Sequence, residues 1–541
     1  MSEVETPGSN AGVKGWFKDA LAMRGAVAQF LFWGLIFGIG YTQDPIYNSP
    51  ENQNTKYFHA LARAGHGFLN EDWLASTLDP LPAFTALVQF TYTFLHHEYA
   101  FYIYYLLIFG LYLYSLRGIV DSVFPISHHQ LRTSLFLAFF FFIHIVHIEI
   151  FKFDTGWELH AGVAEQYILG PVFQPANFGA FILLSIYLFL RRHPFWAVTM
   201  LAIAVTMHPA YFPSIATLIG VYVFLVAWNE CKGLNRTILR PIGIGALGIL
   251  LALPVYLYMT LAFQDTSPEL AQQATDIIVN QRIPHHSLPE HWLKGRAYAQ
   301  AVVVAIALWL IRKRRLAVIV GVPFALAVGL TALQIQINSD TLAFIAPWRM
   351  SVFLMPIATC LILGQIATSL SDVIPDSARS HTIARGICIG VIAILVLSGG
   401  LEQTRKFQAQ DHTIPLLNTV KETAQSGQVY LIPPEERPLR KFRLYTGAAI
   451  FTNRKSHPYK DTEVIEWGKR WDLANRFYRA KGKNQCNLLR RQLVKTYDVT
   501  HVVMPVSVGS RSGRGDRTPP LSCEGFSEVY QDNHYRLYGR G

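Results

Sequence analysis

Asp44 is followed by Pro45 and stands just past the first hydrophobic run of the chain. A carboxylate there would lie at the boundary between membrane and water, where a lipid-linked substrate presents its head group. It could act as general base on an acceptor hydroxyl or hold a divalent metal; a turn residue beside a proline is the plainer alternative. Glu71 and Asp72, followed by Trp73, form a second acidic pair. Adjacent carboxylates can bind a cation or a sugar hydroxyl, and an indole can stack on a sugar face. The same residues would also suit the first turn of a helix, where acids complement the dipole.

Three later stretches carry further candidates. Asp154, Trp157, Glu158, His160, Glu165 and Gln166 share one loop. Glu158 and His160 are two apart and diverge on a helix, so they suit a polar cavity lining better than a metal pair. The segment RIPHHSLPEHW places Arg282, His285 and His286 between prolines. Such a tip, rich in cations and imidazoles, suits a phosphate or diphosphate. Neighbouring His side chains on an extended chain point apart, which argues against a metal; a plain exposed loop is the alternative. Trp348 and Arg349 open the run FIAPWRMSVFLMPIA. An Arg within an apolar run costs roughly 2.5–3.5 kcal/mol on insertion. It must therefore face protein, water or an anion such as phosphate, or snorkel to the interface. His208, in MHPAYF, reads as a structural residue at a helix end.

These residues need elements to position them, and composition says which. The chain has 541 residues, 51% hydrophobic and only 15% charged, and its mean hydropathy is +0.25. Its apolar residues come in runs at 25–41, 99–116, 133–150, 176–190, 195–208, 211–228, 241–262, 297–311, 316–336, 344–368 and 386–401. This predicts a polytopic α-helical membrane protein with about eleven spans. The net charge of +11 does not point to nucleic acid. Sixteen Lys and Arg fall in the loops on the N-terminal side of the membrane, and six in the opposite loops before the tail. The N-terminus is therefore expected in the cytoplasm of a cell with an inner membrane. The loops 42–98, 151–175, 263–296 and 337–343 and the C-terminal region would then face outward.

Three regions are expected: a disordered basic N-terminus at 1–24, a transmembrane domain at 25–401, and an extracytoplasmic domain at 402–541. The first loop is long and acidic, with Asp44, Glu51, Glu71, Asp72, Asp79 and Glu98. Spacing of Tyr57, Phe58, Leu61 and Phe68 predicts a short amphipathic helix able to lie at the lipid surface. Leu81 to Leu95 reads as a re-entrant or interfacial helix. In the tail, helices are expected over 412–424 and 462–480, strands over 428–432 and 500–506, and a hairpin over 527–538 turning at Asp532-Asn533. Val508 to Pro520 reads as a loop. This is a small α/β domain. Outside the cell, Cys486 and Cys523 can pair as a disulfide, two unpaired thiols being the alternative. No soluble-cofactor motif is present, and a divalent metal is the one cofactor the acids would allow.

A first helix, a long loop with an early Asp and amphipathic helices, many further helices and an outer C-terminal α/β domain resemble the GT-C superfamily of integral-membrane glycosyltransferases. The stretches NQNTKYFHALARAGHGFLNEDWLASTLDP, RIPHHSLP and PWRMSVFLMPIA also resemble bacterial membrane proteins of the DUF6798 type. The resemblance covers the membrane part, the tail being less specific. It implies a GT-C-like fold, a polyprenyl-phosphate sugar as donor, membrane lipid as surroundings, and no nucleic acid. Asp44 matches the position of the first-loop acid and would be the base; Glu71 and Asp72 match the further acids more loosely. Asp44 departs from the pattern in lacking an adjacent acid. A protein that binds or moves such a substrate without catalysis is the other expectation.

Overall fold

The computed structural model describes residues 27–40, 44–49, 52–145, 149–150, 153–170, 172–230, 238–409, 411–506, 521 and 523–540. The expected basic N-terminus, Glu51 and the loop from Val508 to Pro520 lie outside them. Each of the eleven apolar runs contains a helix, but the helix of run 133–150 ends at Ile145 and that run finishes in the strand Glu149–Ile150. Six helices are long and apolar enough to cross a membrane: Ala100–Asp121, Pro209–Glu230, Leu239–Ala262, Arg315–Ile337, Asp340–Val373 and Ala378–Gln408. Val27–Gly40, Gln130–Ile145, Pro175–Leu190, Pro194–Met207 and Gly295–Ile311 are apolar but shorter, and roughly 20 residues are needed for a perpendicular span.

Asp340–Val373 is the hub. Its apolar window is 78% buried, against 22% for both Leu239–Ala262 and Ala378–Gln408. It begins with a short helix, Asp340–Ile345, which ends where Ala346 turns left-handed (φ 56°); Pro347 then starts a 3-10 turn at Pro347–Met350. Proline suits that first position because its missing N–H would have no partner there. Ala378–Gln408 runs beyond the expected end of its span and returns to the first helix. A Cβ on Gly399 would fall against the carbonyl oxygen of Gly40, so only glycine allows the two backbones to approach there.

The first loop folds as a set of short helices, Gln53–Lys56, Phe58–Arg63, Leu69–Glu71, Trp73–Ser76 and Pro82–Phe90. The expected helix through Tyr57 and Leu61 is present, but it is not lipid-facing. Tyr57, Phe58, Ala60 and Leu61 are all fully buried in the main core: Tyr57 packs on Phe84 and Phe101, and Phe58 lies under Arg443 of the C-terminal domain. The later helix Pro82–Phe90 exposes Phe90, and Phe94 and Leu95 follow it on the surface.

The C-terminal domain is a five-stranded mixed sheet with helices. Strand Val429–Leu431 pairs in parallel with Ala449–Ile450 on one side and His501–Pro505 on the other. Tyr535–Arg540 runs antiparallel between His501–Pro505 and Phe526–Gln531. The hairpin turns at Asp532, whose carboxylate accepts from the backbone N–H groups of His534 and Tyr535. Helices Ile414–Thr423 and Asp461–Tyr478 lie where the sequence places them; Lys483–Tyr497 is additional. Cys486 and Cys523 are joined in a disulfide. They are 37 residues apart, so loop-closure entropy makes the bond worth roughly 2–4 kcal/mol. Reduction is expected to lower the unfolding midpoint of the domain correspondingly, measured by urea titration with and without reductant. An unchanged midpoint would make the bond dispensable.

The four loops expected on one side do gather, and the domain sits on them. Helix Pro268–Asp276 packs on Asp461–Tyr478 and on Asp340–Ile345. Asp461 accepts from the backbone N–H and hydroxyl of Thr266. Gln174 accepts from Asn52, which ties the second loop to the first.

Candidate functional site

Asp44 sits in a half-buried corner between the first loop and the last membrane helix. Lys406 Nζ stands 2.8 Å from one carboxylate oxygen, and Ser49 Oγ donates to the other at 2.9 Å. The Tyr102 hydroxyl donates to the Asp44 carbonyl at 3.0 Å. Beside this corner is an apolar groove of about 260 Å³ lined by Leu35, Gly38, Ile39, Tyr102, Leu106 and Phe407 among others. A single carboxylate with an ammonium at this distance does not fit a divalent cation. Among the described residues no cluster of three or more His, Cys, Asp or Glu could hold a metal ion.

Glu71, Asp72 and Trp73 are all occupied in binding the C-terminal domain. Asp72 is buried, and Arg443 donates to it from Nε (2.7 Å) and Nη2 (3.0 Å). The backbone N–H groups of Leu74 and Ile450 also donate to it, each at 2.9 Å. Its four bonds leave no oxygen for a substrate. Glu71 accepts from Ser426 Oγ and from the N–H of Gly427, each at 2.7 Å. Those bonds hold its carboxyl below the usual carboxylate range. The Trp73 ring carries the Arg470 guanidinium 4.3 Å from its centroid. Gly67 and Gly447 meet at the same seam, both at positive φ, and the N–H of Phe68 donates to the Gly447 carbonyl.

A different set of residues remains uncommitted. Lys56 ends helix Gln53–Lys56, Arg282 ends the turn Ile277–Arg282, and Arg349 lies in the turn Pro347–Met350. The charges of all three act on the phenol of Tyr459, from the C-terminal domain, and the Lys56 ammonium lies 5.8 Å from the ring centroid. Burial pushes the Tyr459 phenol up, but the three cations outweigh burial and hold it below its ordinary value. None of the three forms an ion pair among the described residues. His208 lies within the fields of Lys56 and Arg349. Its Nδ1 and the Nε of Arg282 are buried without a hydrogen-bond partner. His208, Arg282, Arg349 and Tyr459 are densely surrounded, yet each keeps some accessible surface, as does Lys56. We refer to this cluster at the boundary of first loop, third loop and C-terminal domain as the crevice.

The two sites are joined by one stretch of the first loop. Ser49 bonds to Asp44, Asn54 donates to the Ser49 carbonyl, and Ser456 of the C-terminal domain donates to the Asn54 carbonyl. Thr55, next to Lys56, donates to the Lys455 carbonyl at 3.3 Å. Arg282 donates to that same carbonyl at 2.7 Å.

Residues 411–474 match the family described as a domain of unknown function, DUF6798. The chain matches no curated protein. The DUF6798 match lies in the tail, outside the three membrane-side stretches that carried the resemblance. It spans Arg443, the clamp on Asp72, and the segment RKSHPYK with Tyr459 and His457. The DUF6798 segment therefore supplies both the contact that seats the domain and one wall of the crevice.

The remaining predicted residues have partners of their own. His286 Nδ1 donates to the Ala164 carbonyl at 2.7 Å, and the His286 ring packs at a tilt on His285, the ring centroids 4.1 Å apart. Burial, then the neighbouring cations, push His285 down to about 4; burial and His285 push His286 down to about 3. Both are neutral imidazoles at pH 7, so the tip draws its positive charge from Arg282 alone. Arg282 itself is lowered to about 10 by burial and stays charged. Glu158 is buried against Arg296 at 3.2 Å, with burial raising its carboxyl. His160 stacks on His144, the centroids 4.8 Å apart. Trp348 packs on Trp292 at 4.8 Å, and neither indole N–H has a hydrogen-bond partner. Lys56 and Tyr459 are site residues that sequence reasoning did not single out, and His208 was read there as structural. The helix-ending His208-Pro209 step was the visible signal; a Lys in a polar loop and a Tyr in the tail carried none.

Proposed function

We propose that this protein binds a polyprenyl-phosphate-linked sugar on the outer face of the inner membrane and transfers the sugar to an extracytoplasmic acceptor, with a GT-C-like fold of eleven spans. The N-terminus is then cytoplasmic and the C-terminal domain periplasmic. The observation that supports this reading is the placing of Lys56, Arg282 and Arg349 around Tyr459, with no ion pair to any of the three among the described residues. Buried cations left unpaired are costly, and a phosphate group would relieve that cost with charge-assisted hydrogen bonds. The groove beside Asp44 is shaped and lined for an isoprenoid chain, and its apolar walls would favour one.

In this reading Asp44 is the general base. The acceptor hydroxyl takes the place of Lys406 at the carboxylate oxygen, and Lys406 swings toward solvent, to which it is already partly exposed. Asp44→Asn is expected to abolish transfer from polyprenyl-phosphate sugars while the protein still inserts and binds the lipid phosphate. Product analysis in membranes carrying either form checks this. Transfer by the variant would remove Asp44 as base.

One observation favours a second reading, a binding or transport protein without chemistry. Both Asp44 oxygens are already engaged, by Lys406 and Ser49. Under that reading neither form transfers sugar, and lipid-phosphate binding depends on Arg349.

A further inference from the structure

We propose that the protein holds an anionic phospholipid with a glycerol-type headgroup, in a pocket at the membrane face away from the C-terminal domain. The pocket has a volume of about 230 Å³ and is lined by Arg192, Arg240 and Arg315, with Pro194, Asn229 and Glu230 among the others. It is separate from the crevice and does not depend on the lipid-linked sugar reading. Helix Leu239–Ala262 begins beside the pocket and has 24 residues, a length of about 36 Å, which is one membrane thickness. Its far end leads to helix Pro268–Asp276, which packs on the C-terminal domain.

Depth and charge together point to a lipid headgroup. Trp196, Trp228 and Trp309 stand near the pocket-side ends of three helices and are 63%, 54% and 62% exposed. Indoles concentrate between headgroups and hydrocarbon, which puts the pocket at headgroup level. Ile242, Ile249, Leu250 and Leu253 form an exposed stripe on one face of Leu239–Ala262, leading away from Arg240. An acyl chain can lie along such a stripe.

The charged lining groups are three guanidinium groups and one carboxylate. Arg240 stands 3.8 Å from Glu230, a loose pair, and Arg315 donates to the Asn229 side-chain oxygen at 3.3 Å. Arg192 forms no ion pair among the described residues. Residues 231–237 contain Lys232 and Arg236 and no acid, and Arg191, Arg312, Lys313 and Arg314 adjoin the lining residues in sequence. Asp121, on the neighbouring helix Ala100–Asp121, accepts from the Ser127 N–H at 2.8 Å. The excess of positive charge favours an anionic headgroup over a zwitterionic one.

Two details sharpen the assignment. Arg192 follows the end of helix Ala180–Leu190 at φ 66°. The N–H groups of Arg192 and His193 donate to the Phe189 and Leu188 carbonyls, a helix ending that usually takes glycine at this position. An arginine there works against its backbone preference, and its side chain lines the pocket. Glu230 Oε2 is buried with no hydrogen-bond partner among the described residues. A phosphate oxygen cannot donate to it, but a headgroup hydroxyl can.

The test is calorimetry on the full chain in detergent at fixed ionic strength, with dihexanoyl phospholipids as probes. Phosphatidylglycerol is expected to bind at least about tenfold more tightly than phosphatidylcholine. It should also bind more tightly than phosphatidylmethanol, which has the charge but no hydroxyl. Glycerol phosphate should not bind, which separates a lipid headgroup from a free phosphate. Arg192→Gly suits the backbone and should not unfold the protein. Combined with Arg240→Gln it should remove the preference, and Arg240→Lys alone should keep it. Equal binding of phosphatidylglycerol and phosphatidylcholine, or a preference unchanged in the double variant, would overturn the site and leave these arginines as topology anchors. Equal binding of phosphatidylglycerol and phosphatidylmethanol would overturn the hydroxyl contact to Glu230. Glycerol phosphate binding as tightly as phosphatidylglycerol would overturn the lipid as the ligand.

Discussion

Arg443→Met is expected to destabilise the protein by about 3–5 kcal/mol, because it strands the buried Asp72 carboxylate. Asp72 and Arg443 are both almost wholly inaccessible, and the pair is bidentate. The guanidinium also lies 5.0 Å from the centroid of the Phe58 ring, so Met replaces part of its packing but none of its charge. Urea titration in detergent would measure the loss, and limited proteolysis of residues 411–540 would show whether the domain leaves its seat. The double variant Asp72→Leu with Arg443→Met is expected to recover part of the stability, since no charge is then buried. Recovery stays incomplete, because the N–H groups of Leu74 and Ile450 lose their acceptor. A single variant as stable as the natural protein would mean that the clamp contributes nothing to seating.

The apolar helices were legible because length and hydropathy are local properties. Each of the eleven runs contains a helix. The placement of Lys and Arg led to the expectation that loops 42–98, 151–175, 263–296 and 337–343 share one side; the first and third of them pack against the C-terminal domain. What failed was identifying the partner of an apolar or charged face. Tyr57 and Leu61 showed the right spacing, but spacing cannot tell lipid from protein, and here the cover is protein. Asp72 read locally as a helix-starting acid, and its side chain does accept from Leu74 N–H. Its decisive partner, Arg443, lies 371 residues away. The helix Lys483–Tyr497 was missed because its buried stripe is thin: Cys486, Leu489 and Leu493 on an otherwise polar segment. For the site, Arg349 was visible as a cation inside an apolar run. Lys56 and Tyr459 became site residues only through a tertiary contact between the first loop and the tail.

Arg349→Gln should produce the opposite pair of effects from Arg443→Met, although both remove a deeply placed arginine. Affinity for a lipid phosphate should fall by at least about 100-fold, the equivalent of two charge-assisted hydrogen bonds. The unfolding midpoint should stay level or rise. Arg443 has a carboxylate partner that is stranded when it goes; Arg349 has none among the described residues, and its span is the most buried of the six. A cation kept there without a counter-ion costs stability in the empty protein, and neutral Gln removes that cost. A destabilised variant would make Arg349 a structural cation with a partner of its own. A stable variant with undiminished binding would take Arg349 out of the site. Loss of binding together with retained or increased stability is the pattern of a residue kept for its ligand, since sites that bind charge are commonly held at a cost to the fold around them.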